Sequence, residues 1–180
     1  MKYKLWLCAG AALFFSGSLS FAAQRVEELD KDKDGRKETK VYYENDKIVK
    51  MAVDQNGDKK PDGVVYYKNG IPNTAEKDAD FDGKVDTWIK YDSKGLPELI
   101  SRDRYRKDGK SDYWLYLRNS SIYMREWDRN FDGKPDFRTY EREHKLLEKR
   151  YDDNFDGKFE KIVKAPGRGS TGRIKTTVSA

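Results

Sequence analysis

Asp128-Arg129-Asn130-Phe131-Asp132-Gly133-Lys134-Pro135-Asp136, running on into Phe137-Arg138-Thr139-Tyr140, is the stretch from which the rest of the chain can be read. Oxygen-bearing side chains stand at its first, third, fifth and ninth positions, with glycine at the sixth, and strand-forming residues follow. The same order recurs from Asp30, Asp54, Asp78 and Asp152, at intervals of 24 residues apart from the 50 between Asp78 and Asp128. A degenerate copy fills that gap, with Gly109 standing for Gly83 and Gly133. A fixed period of this size marks an architecture of small units, each burying its apolar face against its neighbours.

Working outward from the loop, position twelve holds Val41, Val65, Ile89, Leu115, Thr139 and Val163, and position thirteen holds Tyr42, Tyr66, Lys90, Tyr116, Tyr140 and Lys164. Adjacent residues of a pleated strand point to opposite faces, so one face carries an aliphatic row and the other a tyrosine row, joined by Trp88 and Trp114 from position eleven. Turn signals follow at Asn45-Asp46, Asn69-Gly70, Ser93-Lys94-Gly95 and Asn119-Ser120, residues that tolerate or require positive φ. The sequence therefore predicts an all-β fold: an antiparallel meander of six tandem 24-residue β-hairpin repeats over 23–164, about twelve strands, open, curled or closed.

The loops carry the chemistry. Candidate ligands are Asp30, Asp32, Asp34 and Glu38; Asp54, Asn56, Asp58 and Asp62; Asp78, Asp80, Asp82 and Asp86; Asp128, Asn130, Asp132 and Asp136; and Asp152, Asn154, Asp156 and Glu160. Alternate side chains of a tightly wound loop converge on one point, which suits Ca²⁺, a hard ion that takes six to eight oxygens. Asp, Asn and Gly also dominate metal-free turns, but a turn needs no fourth acid at position nine. In the second loop Lys59 holds the glycine position and Gly57 sits two earlier. In the fourth, Arg104 and Arg106 read as replacements for the donors at positions one and three, so a guanidinium is expected to neutralise Asp108 and Asp112 there in place of metal.

The pattern D-x-[DN]-x-D-G-x-x-[DE] resembles the calcium loops of integrin-type FG-GAP repeats and, in its first six positions, those of EF-hands, dockerins and thrombospondin type 3 repeats, as expected of a bacterial secreted calcium-binding repeat protein. The resemblance implies Ca²⁺ bound by the side chains at one, three, five and nine and the carbonyl at seven. EF-hands place a glutamate at position twelve, where this chain has Val41, Val65, Ile89, Thr139 and Val163, so their helical fold does not carry over. The tyrosine-rich hairpins are similar to those of MORN-like repeats.

Residues 1–22 read as an export signal, with Lys2 and Lys4 ahead of the apolar run Leu5 to Phe15 and Ser20-Phe21-Ala22 fitting the cleavage pattern. The apolar run is too short to span a membrane, so no transmembrane anchor is expected in the mature chain. Cys8, the single cysteine, lies inside that segment. Charged residues make up 38% of the chain and mean hydropathy is −1.03, too polar for a large core, so bound ions are expected to staple the fold. Residues 165–180 are glycine-rich and basic and read as a disordered tail.

With its loops filled, a chain of formal charge +5 presents a cationic surface, suited to anionic polysaccharide, lipopolysaccharide or the cell envelope; export disfavours nucleic acid. His144, the single histidine, stands without a nucleophile to serve, and repetition argues against one active site. The reading is a secreted or periplasmic calcium-stabilised structural or adhesive module that is not an enzyme. The alternative is a small secreted hydrolase of an anionic glycan: paired carboxylates perform glycoside hydrolysis, but nearly all the regularly placed acids are assigned to the calcium loops.

Overall fold

Asn45 and Asp46 adopt φ of 50° and 60°, and the pairs Asn69-Gly70, Asn119-Ser120 and Glu143-His144 do the same. Two consecutive left-handed residues make the two-residue turn whose twist matches that of paired strands. The computed structural model describes residues 24–31, 33–166 and 175–178, and within them every such turn closes a hairpin. Glu143-His144 lacks the Asn or Gly of the other turns: histidine is among the residues enriched in the left-handed region, and Glu143 is held there by the strands on either side.

The strands are β1 Gln24–Leu29, β2 Thr39–Glu44, β3 Lys47–Val53, β4 Gly63–Lys68, β5 Ile71–Lys77, β6 Thr87–Tyr91, β7 Pro97–Arg102, β8 Tyr113–Arg118, β9 Ser121–Trp127, β10 Phe137–Arg142, β11 Lys145–Tyr151, β12 Lys161–Lys164 and β13 Lys175–Val178. They form one antiparallel sheet in sequence order, and β1 and β13 lie at its two edges, so the meander is open. No helix occurs among the described residues, and none is long and apolar enough to cross a membrane. The expected leader, with Cys8, lies outside the described residues, as does 167–174. Lys175–Val178, in the segment expected to be without structure, instead pairs with β12. β1, ahead of the first loop, was not anticipated.

The register confirms the two rows. Val41, Val65, Ile89, Leu115, Thr139 and Val163 align across the sheet with Met51, Ala75, Ile100, Arg125 and Lys149 between them. Tyr42, Tyr66, Tyr116 and Tyr140 align one residue further on. The five hairpins from β2–β3 to β10–β11 each skip one residue on the returning strand: Val49, Asn73, Glu98, Tyr123 and Leu147 are left unpaired, whereas β12 and β13 pair without a shift. A bulge at the same place in these five hairpins adds twist to the sheet at regular intervals.

A single layer cannot enclose a core. Among the described residues the buried apolar ones are Val41, Ala52, Ala75, Tyr113 and Leu115, against seven buried loop aspartates and Glu126. Two devices compensate in the C-terminal half. Tyr113, Trp127, Phe137 and Tyr151 face one another across β8 to β11 with ring centroids 5.2, 4.9 and 4.8 Å apart. Arg104 lies over Tyr113 and Lys161 over Tyr151, capping this zipper with cations. On the opposite face, buried Glu126 accepts hydrogen bonds from Tyr116 Oη at 2.6 Å and Arg138 Nε at 2.6 Å. Burial, and then the bond to Glu126, push the Tyr116 phenol well above its usual value.

Candidate metal centres

All the acidic loops fall at one end of the sheet, because each joins the end of one hairpin to the start of the next. Their frame is a set of backbone-to-carboxylate bonds. At Asp128 the amides of Phe131 and Gly133 donate to Oδ1 and Oδ2 at 2.6 and 2.7 Å. The same pair recurs at Asp30 from Lys33 and Gly35, and at Asp54 from Gly57 and Lys59. The position-five carboxylate accepts the amide two residues on, as in Lys84 to Asp82 at 2.9 Å and Lys158 to Asp156 at 2.9 Å. The bond from Lys158, ahead of its nearby charge, holds the Asp156 carboxyl below the usual range. The position-nine carboxylate accepts the amide of position two, as in Lys31 to Glu38, Gln55 to Asp62 and Ala79 to Asp86.

Consecutive loops are zipped together. The first amide of each donates to the position-nine carbonyl of the loop before it: Asp54 to Glu38, Asp78 to Asp62, Asp103 to Asp86, Asp128 to Asp112 and Asp152 to Asp136, at 2.8 to 3.0 Å. The result is a row of buried aspartates along the sheet end, comprising Asp62, Asp78, Asp103, Asp112, Asp128, Asp136 and Asp152. Carboxylates are rarely this buried unless a cation or a set of donors meets them.

In two loops three carboxylates converge. Ligand oxygens of Asp78, Asp80 and Asp86 lie within 4.8 Å of one another, and so do those of Asp152, Asp156 and Glu160. These clusters could hold a metal ion, since two ligands of one ion are never further apart than twice the bond length. Asp82 and Asn154, though in the same loops, are engaged by the amides of Lys84 and Asp156. Among the described residues the other loops do not gather three carboxylates so closely. Asp30, Asp34 and Glu38 stand in the first loop, where Asp34 pairs with Arg36 at 2.7 Å and Glu38 Oε2 is buried with no hydrogen-bond partner among the described residues. Asp32 lies outside the described residues. Asp54, Asn56, Asp58 and Asp62 stand in the second, and Asp128, Asn130, Asp132 and Asp136 in the fifth.

The fourth loop corrects the sequence reading. Its first residue is Asp103, which accepts the amides of Lys107 and Gly109 at 2.7 and 2.6 Å, and the loop is one residue longer than the others. The β6–β7 connection runs from Asp92 to Leu96, longer than the two-residue turns, and this displaces the copy from the 24-residue count. Arg104 and Arg106 do not neutralise the loop acids as expected: Arg104 lies over Tyr105 and Tyr113, and Arg106 over Phe131. Other cations reach loop acids: Arg36 pairs with Asp34 and Lys158 with Asp156 inside their own loops, Arg129 with Asp136 of loop five and Asp153 of loop six, Lys161 with Asp153, and Lys107 with Asp80 of loop three. The hydrogen bond from Lys107 holds the Asp80 carboxyl below its usual range. Nothing in the local pattern marks Arg129 or Lys107: position two, where Arg129 stands, also holds Lys31, Gln55, Ala79, Arg104 and Asp153, and Lys107 stands at the fifth position of the lengthened loop.

Loop two shows what the frame demands. Position four is left-handed in Lys33, Phe81, Phe131 and Phe155, at φ of 62° to 64°, and position six in Gly35, Gly83, Gly133 and Gly157, at 89° to 94°. In loop two Gly57 takes the first role, at φ 82°, and Lys59 the second, at φ 72°. The loop keeps its geometry by straining a lysine. Lys59→Gly is expected to stabilise the protein by about 1 kcal/mol, read as a rise in melting temperature of a few degrees; a fall in melting temperature would contradict this account of the loop.

No family model matches the chain, and no curated protein matches it. Among solved structures it is similar to a chain in the crystal structure of accessory secretory protein 1, 2 and 3 from Streptococcus pneumoniae, at 14% identity and a TM-score of 0.23, covering 72% of this chain. The chain spans 19% of the length of that protein, and the likeness carries no argument about fold or function.

Proposed function

We propose that this protein is a calcium-binding, calcium-stabilised structural or adhesive module that works outside the cytoplasm, secreted or periplasmic, with a cationic surface for anionic polymers. The observation that carries the reading is the pair of converging clusters, Asp78-Asp80-Asp86 and Asp152-Asp156-Glu160, set in a row of buried acids. The clusters offer only oxygen donors and carry high negative charge, which suits Ca²⁺, a hard ion that takes six to eight oxygens. Mg²⁺ keeps several waters and a rigid octahedron, which a loop already committed to backbone hydrogen bonds suits less well. Burying more acids than apolar side chains is intelligible if divalent cations complete the fold.

The polymer half of the reading rests on charge. A formal +5 rises by two with each ion bound, and the acids concentrate at one end of the sheet, leaving Lys and Arg to dominate elsewhere. Calorimetric titration of the purified chain tests the central claim. At least two calcium ions per chain are expected, with Asp86→Asn and Glu160→Gln each removing one. Absence of any calcium-binding heat or stoichiometry would remove the reading.

A further inference from the structure

Loops five and six share the pattern D-x-N-x-D-G-x-x-[DE], yet loop six gathers three carboxylates and loop five does not. What separates them is Arg129. Its Nε donates to Asp136 Oδ1, and its Nη2 donates to the Asp136 carbonyl at 3.3 Å, the Asp152 carbonyl at 3.2 Å and Asp153 Oδ1 at 3.3 Å. The other oxygen of Asp136 accepts the amides of Arg129 and Asn130, at 2.7 and 3.2 Å. Both oxygens of this carboxylate, which is only 2% exposed, are therefore engaged. The guanidinium also lies over the rings of Phe137, Tyr151 and Phe155, 5.8 to 5.9 Å from their centroids.

We propose that Arg129 is the resident cation of loop five: it occupies Asp136 and ties the loop to its neighbour at Asp152 and Asp153, so loop five stays free of calcium while loops three and six fill. This rests on the calcium reading above. A guanidinium presents its donors in a fixed fork and binds a carboxylate and neighbouring carbonyls together, a task a spherical ion performs only by drawing the carboxylate to the loop centre. For a metal to take Asp136, the arginine would have to give up its bonds to a buried carboxylate and to Asp152 and Asp153 of the next loop. Loop six has Asp153 at the matching position, which supplies no cation of its own and instead accepts one from Arg129. Loop three also meets a cation, Lys107 at Asp80, but both groups are exposed, at 59% and 37% of their side chains, and the position-nine acid, Asp86, is not part of the pair, so a divalent ion displaces that lysine at little cost.

Arg129→Met keeps an unbranched stem against the rings and removes the charge. In calorimetric titration the variant is expected to bind one calcium ion more than the wild-type chain, whereas Asp136→Asn in the wild-type background leaves the count unchanged and Asp86→Asn lowers it by one. Equal counts for Arg129→Met and a calcium-binding wild type would overturn the inference alone, as would a count lowered by Asp136→Asn. No binding by either the wild type or Arg129→Met would overturn it together with the calcium reading. Should Arg129→Met fail to fold, the Asp136→Asn count decides.

Discussion

Excess chelator is expected to lower the melting temperature of the protein by roughly 10 °C relative to about 10 mM calcium, with loss of β-signal at a lower temperature in far-ultraviolet circular dichroism. Sites of the affinity typical outside cells, roughly 10⁻⁴ to 10⁻³ M, each contribute about 1.5 to 2.7 kcal/mol at that concentration by mass action. Two such sites give about 3 to 5 kcal/mol, and a domain of this size shifts by roughly 2 to 4 °C for each kcal/mol. The sheet has little to set against such a loss. It is one layer deep, five apolar residues among those described are buried, and the buried aspartates of loops three and six repel one another once the cation is gone. A melting curve that moves by less than about 1 °C, less than one weakly filled site would produce, would show that backbone amides alone satisfy these carboxylates.

Trp127→Ala is the second large effect, expected to cost about 3 kcal/mol, the lower end for a truncated aromatic because the ring is only half-buried. Trp127 sits between Tyr113 at 5.2 Å and Phe137 at 4.9 Å, so its removal separates the zipper into two pieces and leaves Phe137 packed on one side. The rings pack on one another across the strands, tilted by 45° at Tyr113–Trp127 and stacked at the other two pairs, which makes them a packing device. The control is Tyr105→Ala, at 56% exposure, which is expected to change stability by less than about 0.5 kcal/mol. Equal effects of the two substitutions in chemical denaturation would rule the zipper out as a source of stability.

Much of this was legible locally. The alternation of Val41 with Tyr42 and its repeats fixed strand type and face, and Asn-Gly-like pairs located three of the two-residue turns, because both depend on neighbours in sequence. The first strands of the first two copies start at Thr39 and Gly63, directly after Glu38 and Asp62, since the position-nine acid belongs to the loop. The assignment at loop four failed because a strict period cannot see a lengthened turn upstream, and Asp103 was passed over for Arg104. Arg129 and Lys107 were invisible for a different reason. Their partners Asp153 and Asp80 lie on adjacent loops that only strand pairing brings near, and nothing in the local pattern marks which basic residue will reach across.

Each strand of this sheet touches only those before and after it in the chain, and the two ends of the chain's sheet stand at opposite edges, roughly 60 Å apart for strands spaced about 4.8 Å. A pull applied between the ends therefore acts across the strands, peeling one pairing at a time, rather than along them, where a whole set of hydrogen bonds would have to shear together. Such a molecule yields in small steps and recloses hairpin by hairpin, a compliant spring whose stiffness is set by whatever ties one loop to the next.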